Sequence, residues 1–184
     1  MYMNSLKAIQ TIAKVARILS KIIYICCIVG ACACVVGIIS LSLGAGALKF
    51  GGVTFESLIK NNSGYSKSTM YLVMTVGIIF SVGEGVLSKF ANVYFKNELK
   101  AGTPFTLSGA NELLRLGILS IAIPVFTYML SNIIYDSFKA AFIDVQKIDG
   151  LNGGVSLSLG ICLIIISLIC RYGAEVTGDK KSGS

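Results

Sequence analysis

The sequence predicts an all-α, polytopic membrane protein: four transmembrane helices in an antiparallel bundle, with the N- and C-termini cytoplasmic. Four long runs carry no charged residue, at 22–43, 69–83, 116–135 and 150–170. Three of them reach the roughly 20 residues that a helix needs to cross a hydrocarbon core. Of the 184 residues, 54% are hydrophobic and only 14% are charged. Apolar blocks of this kind are typical of membrane spans and not of a soluble core.

The chain is predicted to form one four-span membrane domain. Its longest connection, 44–68, is too short to hold a core of its own. The predicted segments are a cytoplasmic amphipathic helix at 1–21, spans at 22–43, 69–91, 109–135 and 150–170, extracellular loops at 44–68 and 136–149, a cytoplasmic extension and turn at 92–108, and a cytoplasmic tail at 171–184.

The second span is interrupted by Glu84. The uncharged run at 69–83 is short, but Val86, Leu87 and Phe90 continue the apolar pattern past the acid. The alternative is three spans plus a re-entrant segment. An odd number of spans would put the two basic termini on opposite sides, which the charge distribution disfavours.

Lysine and arginine set the predicted orientation, because cytoplasmic segments are enriched in these residues. Eleven of the 16 basic residues lie in the N-terminal segment, the second connection and the tail. The other five lie in the first and third connections, together with four of the nine acidic residues. Both termini are therefore expected in the cytoplasm of a cell whose plasma (inner) membrane the chain crosses several times.

The N-terminal segment has its polar and apolar residues on different faces of a helix. Such a helix is suited to lie on the cytoplasmic leaflet and to contact anionic lipid. The alternative, that these cations only set the topology, is equally well supported. The basic residues are not interleaved with aromatic ones in a pattern that would indicate nucleic-acid binding. The basic stripe comprises Lys7, Gln10, Lys14, Arg17 and Lys21.

Small residues recur at steps of three and four along the first span, so that another backbone can approach one face of it closely. This helix-packing stripe comprises Gly30, Ala33, Gly37, Ser40 and Gly44. Its partner is another span of the chain or a second copy, and we favour the first. The six cysteines lie inside spans, form no CxxC pair and accompany no histidine, so they are interpreted as packing residues. No metal or other cofactor is expected.

Glu84 is the acid inside a predicted span, where ionisable residues are rare and often functional. Lys89 follows five residues later, and Arg115 enters the third span at a similar level. We expect a structural ion pair between Glu84 and Arg115. The alternative is a small oligomeric transporter or channel with Glu84 in its pathway, as in small multidrug transporters.

Pro124 lies in the middle of the third apolar run. It cannot donate a backbone hydrogen bond to the carbonyl of Ser120, so a helix kink is expected there. A neighbouring span or the hydroxyl of Thr127 would satisfy the freed carbonyl. A kink occurs in transporters and in simple bundles alike, so it indicates no function.

The second connection has the most distinctive local sequence. Gly102 is expected to end the second helix, and Thr106 or Ser108 to cap the third. The run Gly102-Thr103-Pro104-Phe105-Thr106, then Asn111 and Leu114-Arg115, resembles the hallmark of the bacterial four-span membrane family named domain of unknown function 2975. The sequence from Arg171 to Glu175 is similar to the C-terminal signature of that family. The resemblance implies a bacterial plasma-membrane protein, more like a regulator than an enzyme, and gives no catalytic residues to carry over.

Two further expectations concern the loops and the chemistry. The segments 50–55 and 142–146 alternate as short strands do, and they are predicted to pair as a small extracellular β cap. For catalysis the chain has no histidine, no phosphate-binding glycine loop and no GxSxG. The sequence thus predicts a non-enzymatic accessory protein of a binding, sensing, regulatory or immunity type, with a protein partner or a homo-oligomer as its assembly.

Overall fold

The structure is a computed structural model that describes residues 2–43, 49–50, 53–54, 66–102, 106–145 and 156–182. Within these residues the chain forms four long helices and one pair of very short strands. Each helix contains a stretch long and apolar enough to cross a membrane. The prediction of an all-α, multi-pass membrane protein is therefore confirmed. The elements are α1 (Tyr2–Leu43), β1 (Lys49–Phe50), β2 (Val53–Thr54), α2 (Lys67–Ala101), α3 (Leu107–Ala141) and α4 (Ser156–Ser182).

Large apolar side chains are exposed on all four helices. Ile12 is 67% exposed, Phe126 66% and Ile169 60%. A soluble bundle would bury such side chains, whereas a membrane bundle presents them to lipid. The buried positions include small hydroxyl residues, and some of these donate inside their own helix: Ser120 Oγ donates to the carbonyl of Leu116 at 2.8 Å.

The helices run through several predicted segment boundaries. Residues 1–21 and 22–43 belong to the single helix α1, and α4 extends past residue 171 to Ser182. Neither proline nor glycine interrupts α1 before Gly30, so no residue there favours a break. The 35 residues of α2 correspond to about 52 Å of helix, well beyond the roughly 30 Å of a hydrocarbon core.

The chain packs as two compact units, which we describe separately. The first, here called the terminal unit, comprises Met1–Ile25, Glu84–Val125 and Gly153–Ser184. The second, the connecting unit, comprises Cys26–Gly83 and Phe126–Asn152. Every contact described below lies within one of them.

The core of the terminal unit joins α2, α3 and α4. Tyr94 of α2 packs with Leu113 and Leu116 of α3, and Leu163 of α4 lies against this cluster. Beside it, α3 and α4 approach closely through Gly117 and Gly160. A Cβ atom on Gly117 would lie 3.1 Å from the carbonyl oxygen of Gly160, which leaves no room for a side chain.

In the connecting unit, α1 packs against α2 through small residues. A Cβ on Gly30 would lie 3.3 Å from Ser81 Oγ, and one on Gly77 would lie 3.0 Å from Cys34 Sγ. The stripe on α1 thus has at least one partner within the same chain, as favoured by the sequence.

The members of the predicted stripe differ in their placement. Gly37 and Ser40 are buried, but Ala33 is exposed, and its expected place in the contact is taken by Cys34. Gly44 lies outside the described residues. The sequence alone does not distinguish Ala33 from Cys34, since both are small.

The predicted β cap is found only as one short hairpin. Lys49–Phe50 pairs antiparallel with Val53–Thr54, but residues 142–145 form a turn and no strand. The Phe142 N–H donates to the Phe138 carbonyl at 2.8 Å and prolongs the last turn of α3. The Asp144 carbonyl accepts from Ser66 Oγ at 2.6 Å. Asp144 thus lies in a turn, and its carbonyl bonds to the start of α2 and not to the hairpin. Gln146 lies outside the described residues.

Candidate functional site

The turn between α2 and α3 begins as the sequence predicts. α2 ends at Ala101, and Gly102 follows with a φ of 72°. Its N–H donates to the Glu98 carbonyl at 3.0 Å. This left-handed residue after the last turn is a common helix end, and it favours glycine. Residues 103–105 lie outside the described residues.

Thr106 caps the next helix. The Gly109 N–H donates to Thr106 Oγ1 at 3.0 Å, and the Ala110 N–H donates to the Thr106 carbonyl at 2.9 Å. Of the two capping residues predicted, the structure assigns the role to Thr106, and Ser108 is exposed.

A small cavity at this turn is lined by several polar side chains, and we call it the turn pocket. Its volume is about 80 Å³, room for two or three water molecules at about 30 Å³ each. Asn97 Nδ2 donates to Glu112 Oε1 at 2.9 Å. Glu112 Oε2 is buried and accepts no hydrogen bond from the residues that the structure describes. The lining residues are Tyr94, Asn97, Glu98, Ala101, Thr106, Ser108, Gly109 and Glu112.

The turn pocket offers hydrogen-bond acceptors to a bound group. Two carboxylates, Glu98 and Glu112, line it together with hydroxyl groups, so it suits donor groups or water. Among the residues that the structure describes, no three His, Cys, Asp or Glu side chains are grouped as metal ligands would be.

Sequence reasoning missed Asn97, Glu98 and Glu112 as a site. Of the residues it chose there, Asn111 is exposed, one position before Glu112. A signal was present, because Tyr94, Asn97 and Glu98 are spaced three and four apart on one face of α2. Glu112 lies in the first two turns of α3, which places it next to that face across the turn.

The predicted ion pair between Glu84 and Arg115 is not formed. Both side chains are exposed, and among the described residues the ion pair is Arg171 Nε with Glu175 Oε1, at 3.2 Å. The reason is the helical register. Gly83 and Gly85 are buried while Glu84 points outward, and Arg115 lies between the inward-facing Leu113 and Leu116.

Pro124 lies inside α3, which continues from Leu107 to Ala141. The peptide bonds of the described chain are trans. The angle of the helix at Pro124 stays a prediction. Thr127 is buried, and its carbonyl accepts from Ser131 Oγ at 2.7 Å.

The basic stripe on α1 lies beside the end of α2. Gln10 Nε2 donates to the Gly102 carbonyl at 3.4 Å. Lys14, Arg17 and Lys21 line a second cavity with Ile18 and Leu99. The side chain of Lys7 lies outside the described residues. The stripe therefore borders the turn, a contact that its sequence pattern does not indicate.

None of the six cysteines forms a disulfide in the part of the chain that the structure describes. Cys170 is buried, while Cys26, Cys32 and Cys162 are exposed on apolar helix faces. Cys34 packs against Gly77, which is the packing role expected of it.

No known family model, curated protein or solved structure matches the chain. The resemblance to the domain of unknown function 2975 family therefore stays a prediction carried by the residues from Gly102 to Arg115 and from Arg171 to Glu175.

Proposed function

We propose that this chain is a non-enzymatic accessory protein of the bacterial plasma membrane, of a binding, sensing, regulatory or immunity type. The turn between α2 and α3 is the part that meets its partner. In this proposal the turn and both termini lie in the cytoplasm, where the distribution of lysine and arginine would put them.

The observation that supports the proposal most is the position of the polar groups. Asn97, Glu98 and Glu112 gather at the turn pocket, where one buried carboxylate oxygen has no hydrogen-bond partner among the described residues. A buried acceptor without a hydrogen bond is costly, so such a group is suited to receive a donor from outside. The neighbouring Ser108 and Asn111 are exposed and offer a contact surface.

Photo-crosslinking in cells would test the proposal. A photoreactive amino acid at Ser108 or Asn111 should give one discrete protein adduct. The same amino acid at Phe126 or Ile169, which are exposed on apolar helix faces, should give lipid adducts only. Glu112→Ala should weaken the adduct formed at Ser108. Identical adduct patterns at the turn and at the apolar positions would rule the turn out as the binding surface.

A small oligomeric transporter or channel is the second candidate, and Glu84 is the observation that favours it. Glu84 is exposed on α2, in a helix whose apolar length crosses the bilayer. A carboxylate facing lipid is unfavourable, and a second copy covering this face would shield it. Neither the turn pocket nor the cavity beside Lys14 includes Glu84.

Proteoliposomes carrying a pH gradient separate the two candidates. An accessory protein should leave the gradient unchanged, both as wild type and as Glu84→Gln. A carrier should dissipate it, and Glu84→Gln should abolish this flux without loss of folding. Glu175→Gln, which removes one carboxylate near the C-terminus, is the matched control.

A further inference from the structure

The second cavity of the terminal unit is a basic groove. It has a volume of about 270 Å³ and is lined by Lys14, Arg17, Ile18 and Lys21 of α1 and by Leu99 of α2. The four α1 residues are spaced three and four apart, so they share one face of the helix. Because Leu99 closes the other side, the groove exists only where α1 packs beside α2.

The charge of this groove is not balanced by any residue that the structure describes. Among those residues no carboxylate lines the groove, and none of its three cations forms an ion pair. Lys14 and Lys21 are exposed, whereas Arg17 is half-buried. Three unpaired positive charges around one cavity attract an anion.

Arg17 provides the second observation. Its Nε atom is buried and has no hydrogen-bond partner among the described residues. A guanidinium group presents its donors in a fixed fork that matches the oxygens of a phosphate group. A phosphate bound in the groove would give this nitrogen the acceptor that the described residues do not supply.

The place of the groove along the chain indicates the source of the phosphate. α1 is apolar enough to cross a membrane over Ile9–Leu43, and the uncharged run begins directly after Lys21. Ile18, one lining residue, is 58% exposed. The groove thus combines cations with an apolar wall at the level where lysine and arginine meet lipid headgroups.

We propose that the groove binds the phosphate group of an anionic phospholipid, with Arg17 as the central contact and Lys14 and Lys21 beside it. The volume corresponds to roughly nine water molecules at about 30 Å³ each. This is far more than a single bare ion requires, and it suits a phosphate together with its glycerol group. This inference rests on the membrane location and not on the proposed partner at the turn.

Native mass spectrometry of the full chain in detergent would test the site, with phosphatidylglycerol and phosphatidylcholine as the added lipids. The wild type should retain phosphatidylglycerol preferentially. Arg17→Gln should lower that retention about fivefold, the effect expected of one cation near a lipid surface. Arg115→Gln is the matched control, since it removes the same charge from an exposed position of the terminal unit, and it should change retention little.

Two further arms complete the experiment. Lys14→Gln/Lys21→Gln alters exposed side chains only, so it tests the site even if Arg17→Gln does not fold; it too should lower retention of phosphatidylglycerol. Inorganic phosphate should not displace the lipid at millimolar concentration. The proposal is overturned by equal retention of the two lipids, by equal losses in Arg17→Gln and Arg115→Gln, by full retention in the double variant, or by displacement with inorganic phosphate, which would identify a site for a soluble anion.

Discussion

Single glycines decide how closely α3 and α4 approach. In Gly160→Ala the new methyl group would lie 3.0 Å from the Gly117 carbonyl oxygen and against the side chain of Ile121. A backbone oxygen cannot move aside as a side chain can. We expect Gly160→Ala to lower the free energy of unfolding by about 1–3 kcal/mol, the usual cost of overpacking. Unfolding of the purified protein in a denaturing detergent, followed by circular dichroism, measures this change.

Gly30→Ala is the matched control for that variant. Its methyl group would meet Ser81 Oγ at 3.3 Å, a single atom that can rotate away. Alanine also favours the helix over glycine by roughly 0.5–1 kcal/mol. Gly30→Ala should therefore be neutral or slightly stabilising. Equal losses in both variants would mean that the short distance between α3 and α4 is not what restricts Gly160.

The hydrogen bond between Asn97 and Glu112 holds the turn pocket together. Because the bond reaches a carboxylate whose other oxygen is buried, its loss is more costly than that of an exposed bond. Asn97→Ala should lower the free energy of unfolding by about 1.5–3 kcal/mol. The same change in a Glu112→Ala background should cost much less, since the partner is already gone.

Asn111→Ala provides the control, because Asn111 is an exposed asparagine next to Glu112. It should change stability by less than about 0.5 kcal/mol. If Asn97→Ala costs the same with and without Glu112, the two side chains are not coupled, and the pocket is held by other contacts.

At the scale of whole elements, the ends of α2 and α3 at their shared turn followed from the sequence. Gly102 and Thr106 act through neighbours three or four residues away, so their roles are local and can be derived from residue type. The contact between Ser66 and Asp144 could not be derived this way, because it joins residues that are far apart in the chain.

The faces of the helices were harder to predict than their ends. In a soluble helix the apolar side is the packed side, but in a membrane helix the lipid-facing side is apolar too. The sequence therefore does not say which side of α2 packs. Glu84 was assigned to an ion pair with Arg115, whereas the structure has both side chains exposed and not paired with each other. The same ambiguity applies to Ala33 and Cys34 on α1. Small residues predict a close contact between helices, but they do not decide which of two neighbouring small residues makes it.

Ser66 links the start of α2 to the end of α3. Its Oγ accepts from the Thr69 N–H at 3.2 Å and donates to the Asp144 carbonyl at 2.6 Å. Ser66→Ala removes a helix cap and this second bond together. We expect a loss of about 1–2 kcal/mol in the free energy of unfolding. Unfolding in a denaturing detergent, followed by circular dichroism, measures it. Ser68→Ala, two positions further on, should cost less than about 0.5 kcal/mol. Equal costs for both serines would contradict the capping role.

For the whole molecule, small side chains and hydroxyl groups matter more than the total apolar area. Lipid solvates the exposed isoleucines as well as a protein core would, so burying them gains little. Close approaches between the described helices are accordingly made at Gly30, Gly77, Gly117 and Gly160, while Tyr94, Leu113 and Leu116 provide an apolar contact in the terminal unit.

The number of spanning helices also determines where the two termini lie. With four helices able to cross, both termini are predicted to face the same compartment, and the positive charges predict that this is the cytoplasm. Green fluorescent protein fused to either end should fluoresce, since it folds inside the cell and not after export. Alkaline phosphatase at the same positions should be inactive.

A truncation gives this topology its strictest test. A chain that stops at residue 145 keeps α1, α2 and α3 and loses α4, so its new C-terminus should lie on the outer side. Alkaline phosphatase fused there should be active, and green fluorescent protein should be dark. The full chain and the truncated chain share every residue before 145. If a reporter is active on one chain and inactive on the other, the difference is therefore due to the crossing of α4 alone. Identical reporter activity on both chains would mean that α4 does not cross, and the termini would then lie on opposite sides.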